Sequence, residues 1–181
     1  GSNVVNANTF GANCLKFEDS ELEEIIKAAM ENAKNARNQS TNQDEKFVAL
    51  DIGPSGKLLK PLGDLDFEDA VSAFSKTVRA GNEAGADLIL IETMNDPYEM
   101  KAAIVAAKEN SDLPIFATFV LDSCGKTMTG ADVDAMVAML EGLGVSALGM
   151  NCSLGPDKMA EILPRFIASA SVPIIVNPNA G

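Results

Sequence analysis

In the stretch ALGMNCSLGP (147–156) one cysteine, Cys152, ends an apolar run between Asn151 and Ser153, and Gly155-Pro156 follows as a helix start. A thiol in that place has two readings. It is a small buried residue, or it is a thiolate that binds something, a form favoured by a neighbouring helix N-terminus. The other residues able to do chemistry sit in equivalent places, at or just past the ends of apolar runs: Asn8 and Thr9, Asp51, Glu92 and Thr93, Asp122, Asn177 and Asn179. There is no histidine, which excludes a His base, a Ser-His-Asp triad and a His-metal site within this sequence.

Each of these residues also has a bland reading, because Asp and Asn form turns and cap helices. Their recurrence after successive strands points to a shared site. Glu92 follows four apolar residues in LILIETM, where an unpaired carboxylate is costly to bury. A cationic ligand group such as an α-ammonium would satisfy it; an internal hydrogen-bond network is the alternative. Asp51 in ALDIGP follows the same logic, although the Gly-Pro turn after it could use the carboxylate directly. Cys14 in a loop and Cys124 in DSCGKT have no metal-ligand neighbour at suitable spacing and read as core or surface residues.

The elements that must position these side chains alternate. Strands are expected at 3–10, 46–53, 86–94, 114–122, 146–153 and 172–181, and helices at 19–37, 66–85, 96–110, 130–144 and 155–170. In the first helix Leu22, Ile25, Ile26, Ala29 and Ala33 form one apolar stripe, with Asp19 or Ser20 as expected N-cap. Asp96 followed by Pro97 opens the third, Gly144 closes the fourth, and Pro164 is expected to bend the fifth. The polar stretch 38–46 reads as a loop. Strand-helix alternation with strands apolar on both faces predicts a parallel α/β architecture. Ligands in such folds bind at the C-terminal strand ends. A full (β/α)8 barrel takes about 250 residues, roughly 31 per unit, so 181 residues correspond to about six units. We therefore expect a TIM-barrel type fold truncated to about six strands and five helices, lacking the first strand and the final strand-helix units. No glycine-rich dinucleotide fingerprint follows any strand, which disfavours a nucleotide-binding open sheet.

Composition narrows the partners. The chain is 46% hydrophobic and 22% charged, enough apolar material for one core, and 1–181 reads as a single domain. A net charge of −12 repels nucleic acid and anionic lipid, so neither is an expected partner. No apolar run approaches the roughly 20 residues of a membrane span, and no charged n-region precedes an apolar h-region. The expected location is cytoplasmic, and three dispersed cysteines make no disulfide framework.

In NANTFGAN (6–13), ALDIGPSGKLLKPLGDLDFEDA (49–70), ADLILIETMNDPYEMKAAIVAAKENSDLP (86–114), TMTGADV (127–133), ALGMNCSLGP (147–156) and VNPNAG (176–181), the chain resembles the homocysteine-binding domain of cobalamin-dependent methionine synthases. The resemblance runs in order over essentially the whole chain. It implies a (β/α)8 barrel whose zinc ion rests on three cysteine thiolates and whose zinc-bound homocysteine takes a methyl group from methylcobalamin on another domain. Cys152 matches the first zinc ligand; the other two form an adjacent pair after the last strand, a motif absent from this sequence. Asn179 matches a residue that approaches zinc when substrate is absent. Glu92 matches the carboxylate that holds the substrate amino group, and the family's second amino-binding acid lies in a segment not present here. Asp51, Thr9, Asn151 and Ser153 join Glu92 as candidate substrate-binding residues. The resemblance thus implies an incomplete zinc site, a chain inactive by itself, and folate- and cobalamin-binding modules as partners. A homocysteine methyltransferase using betaine or S-methylmethionine is the near alternative. A non-catalytic module that self-associates through open strand edges is the distant one.

Overall fold

A computed structural model describes residues 2–41 and 44–180. Six strands alternate with five helices: β1 Val4–Asn6, α1 Asp19–Gln39, β2 Phe47–Ile52, α2 Phe67–Glu83, β3 Leu88–Met94, α3 Pro97–Asn110, β4 Ile115–Phe119, α4 Val133–Gly142, β5 Ala147–Asn151, α5 Pro156–Ser169 and β6 Ile174–Asn177. All neighbouring strands are parallel, in sequential order β1 to β6. The sheet is an open arc of the TIM-barrel type: β1 and β6 each have one strand neighbour among the described residues.

Alternation along the strands divides the apolar residues into two groups. Val48, Leu50, Ile52, Ile89, Ile91, Ala117, Phe119, Leu148 and Met150 join the main core with the helices. Ala49, Leu88 and Leu90, with Val4 and Phe116, form a separate cluster on the concave face. Close helix docking depends locally on glycine. A Cβ on Gly81 of α2 would lie 2.4 Å from a Leu50 methyl carbon, so α2 settles onto β2 only because that side chain is missing. At the N-terminal strand ends, Asp87 Oδ2 accepts from Val48 N (2.7 Å) and Arg37 Nη1 (2.8 Å), tying α1 to the sheet.

Several expected boundaries shift. β1 ends at Asn6 instead of running to Phe10, because Thr9 turns back and spends its hydroxyl on the Asp51 backbone. Glu18, without a side-chain bond, is the N-cap of α1 instead of Asp19 or Ser20, and Asp19 pairs with Lys76 (2.7 Å). β4 stops at Phe119, since Asp122 builds a turn by accepting from Cys124 N and Lys126 N. α4 starts at Val133, capped by Asp132. β6 spans only Ile174–Asn177, and the Gly181 end of the expected strand lies outside the described residues, as do positions 42 and 43 of the expected loop. Asp96 caps α3 through Tyr98 N as expected, and α5 continues through Pro164.

Candidate active site at the C-terminal ends of the strands

Asp51 of β2, Glu92 of β3, Thr118 of β4 and Asn151 of β5 follow the concave-face residues Ala49, Leu90, Phe116 and Gly149 by two positions, and so share that face at its C-terminal end. Asp51 is 6% exposed, and its Oδ1 has no hydrogen-bond partner. Burial, and next the nearby Glu92 carboxylate, push Asp51 up to about 7. Burial also raises Glu92, which is partly exposed. Two carboxyl groups thus share a concave face without a basic side chain bonded to either among the described residues. That environment disfavours anions and favours an incoming cation.

An irregularity in β3 places the next group. From Ile91↔Ala117 to Met94↔Phe119, β3 advances three residues while β4 advances two. Such a bulge re-aims side chains and often borders active sites. Here it returns Met94 to the helical core and leaves Thr93 with φ 63°, a left-handed conformation unusual for a β-branched residue. Thr93 thereby reaches Asn151. Asn151 Nδ2 donates to Thr93 Oγ1 (2.7 Å), and Asn151 Oδ1 accepts from Thr93 N (3.0 Å). The same Nδ2 donates to Cys152 Sγ (3.2 Å), and Thr93 Oγ1 lies 3.9 Å from that sulfur.

Cys152 (φ 56°) and Ser153 (φ 62°) are both left-handed, so the chain folds back sharply after β5. Cys152 N donates to Asn177 O (3.0 Å) and Asn179 N to Leu154 O (3.0 Å), which hold the Asn179 segment beside the cysteine loop. Of the expected site residues, Asn151 and Cys152 are joined directly, Glu92 and Asp51 interact electrostatically, and Asn179 is linked through backbone. Thr9 is buried, but its hydroxyl both donates to Asp51 O and accepts from Asp51 N, so it steadies Asp51. Ser153 is exposed on the loop.

Two polar residues escaped the sequence reading. Thr118 is 0% exposed with an unpartnered Oγ1; its signal was the alternation in IFATF, which puts it on the face of Phe116. Glu99 is 4% exposed in the first turn of α3 and accepts from both the backbone N and the Oγ of Ser55. Burial raises its pKa despite those bonds, which act the other way. Sequence offered no signal there, since a Glu in a first helical turn usually faces water.

A zinc ion on three thiolates finds one fitting donor here. Cys152 carries the amide hydrogen bond that suits a metal-bound sulfur. Cys14 packs against the helical core and Cys124 is exposed. Among the described residues no three Cys, Asp or Glu side chains are grouped to hold a metal. The described residues therefore do not by themselves make up a three-thiolate zinc site.

The family model for homocysteine S-methyltransferases matches residues 1–181. The chain belongs to the homocysteine S-methyltransferase family. It is 29% identical over 191 aligned residues to methionine synthase of Mycobacterium leprae and, to the same degree, to that of Mycobacterium tuberculosis. All of the chain aligns in each case, and it spans 16% of each relative's length. The metallated form of the homocysteine methyltransferase MmuM from Escherichia coli superposes with a TM-score of 0.88 at 22% identity, covering 100% of this chain and 68% of that one. Dihydrodipicolinate synthase from Agrobacterium tumefaciens shares the fold more loosely, with a TM-score of 0.54 at 16% identity over 96% of this chain and 52% of that one.

Proposed function

We propose that this chain binds homocysteine at the C-terminal strand ends and orients its sulfur for methyl transfer. The observation that carries this is the uncompensated Asp51–Glu92 pair at the same end of the sheet as a hydrogen-bonded cysteine. An ammonium group would answer the carboxylates, and a thiol on the same small molecule would lie toward Cys152. The chain's part is positioning: Thr9 fixes Asp51, the β3 bulge presents Glu92 and Thr93, and Asn151 aims the Cys152 sulfur. Family membership and the methionine synthase relatives support this reading.

The finer reading has Cys152 as one of three thiolates on zinc, with Asn179 nearby and the remaining two thiolates supplied from outside this sequence. Zinc would act as Lewis acid toward the substrate sulfur. Methylcobalamin on another module would be the methyl donor, and the chain alone would be inactive. The agreement with methionine synthases over the whole chain favours that donor over betaine or S-methylmethionine.

The decisive test is calorimetric titration with L-homocysteine and with 4-mercaptobutyrate, which lacks the ammonium. Homocysteine should bind the wild type more tightly, and Glu92→Gln should lose about 1.5–3 kcal/mol, a roughly 10- to 150-fold rise in Kd. Equal binding of the two thiols by the wild type would sink the assignment. For zinc, a longer chain that adds the two missing thiolates should hold one ion by mass spectrometry and lose it in Cys152→Ser. Retention of the ion would remove Cys152 from the site.

A further inference from the structure

Thr118 has a polar group for which the folded chain provides no use. Its Oγ1 is fully buried and unpartnered, although most buried hydroxyls are bonded because leaving one unmade costs about 1–3 kcal/mol. Its surroundings explain the orphan. Across the ladder on β5 its partner is Gly149, which has no side chain to offer. Gly149 can acquire none in place, because a Cβ there would lie 1.8 Å from Ile175 O. On the other side, the last regular pair before the β3 bulge is Ile91↔Ala117, so Glu92 is the next residue beside Thr118. The other orphan oxygen of the chain's described residues, Asp51 Oδ1, lies on β2 on the same face. Three oxygen-bearing side chains from adjacent strands β2, β3 and β4 thus share one end of the concave face. A primary ammonium has three N–H donors to match them.

Resting on the reading of the site as a homocysteine site, we infer that Thr118 is a substrate-contacting residue whose hydroxyl takes the third N–H of the substrate ammonium beside Asp51 and Glu92. The site is then selective for primary amines, and an N-methylated amino thiol loses one of three hydrogen bonds. Valine has the same shape without the orphan oxygen, so it should strengthen the unliganded fold and weaken the liganded one.

The experiment measures Tm of the unliganded chain, and Kd for L-homocysteine, N-methyl-homocysteine and 4-mercaptobutyrate, in wild type, Thr118→Val and Thr118→Ser. Thr118→Val should raise Tm by a few degrees and weaken homocysteine binding about 10-fold, the equivalent of about 1.4 kcal/mol. It should leave 4-mercaptobutyrate unchanged and shrink the preference for homocysteine over its N-methyl form. Thr118→Ser should restore affinity. Unchanged homocysteine affinity in Thr118→Val, or affinity and Tm falling together, overturns the inference while leaving the site reading intact. A wild type that does not prefer homocysteine to 4-mercaptobutyrate overturns both.

Discussion

Asp51 is buried with one oxygen unpartnered, and that makes the stability of the fold depend on pH. Its ordinary pKa of 3.8 rises to about 7 in the fold, so between those values the folded chain holds a proton that the unfolded chain releases. Stability from this group is complete below pH ~4 and disappears as pH rises through ~7. Glu92 and Glu99, also raised, add to the same trend. The urea midpoint of the wild type should fall from pH 5 to pH 8 relative to that of Asp51→Asn, which lacks this component. Parallel pH curves for the two proteins would show that Asp51 ionises as readily in the fold as outside it. At this scale the sequence was informative where a charge interrupts a hydrophobic run, as at Glu92 and Asp51. It was silent on Thr118, because a threonine in a strand is unremarkable until its neighbours are known to be glycine and carboxylate.

The loops after β2 and β3 are held together by Glu99, which grips Ser55 from the first turn of α3. Ser55→Ala removes a buried hydrogen bond to a carboxylate and should destabilise by about 1.5–3 kcal/mol in denaturant titrations. A change under half a kilocalorie would mean the backbone bond from Ser55 N suffices. Gly149→Ala is predicted to be more severe, because Cβ and Ile175 O cannot coexist at 1.8 Å and β5–β6 pairing must yield. The expected cost lies at or beyond the upper end of ~1–3 kcal/mol for overpacking, read as a lowered denaturation midpoint. Element order and type were legible because apolar periodicity switches cleanly between strand and helix. Ends were less so. β1 and β4 are shorter than expected, since Thr9 and Asp122 spend hydrogen bonds that apolarity does not encode, and β6 is shorter as well.

Over the whole molecule, an open arc leaves β1 and β6 with backbone groups on one side unpaired by any described strand. Such edges invite pairing with another chain, and a net charge of −12 opposes it. Light scattering across protein concentration should therefore show self-association that grows as salt screens the charge. A monomer at every ionic strength would show the edges to be protected. Strand count and parallel order were readable from length and alternation. Curvature is reported by no local pattern, and the expectation of a barrel-type arc rested instead on chain length and on the family resemblance.

The β3 irregularity also bears on which length changes the gene can accept. A strand assigns its faces by parity, and the added step between Ile91 and Met94 resets the count midway. Loss of a single codon there would send Met94 toward the concave face or draw Thr93 out of reach of Asn151. One added residue thus keeps the core and the polar cluster at the strand ends in phase, and single-codon deletions in β3 should be tolerated worse than in the exposed turn around Asp122.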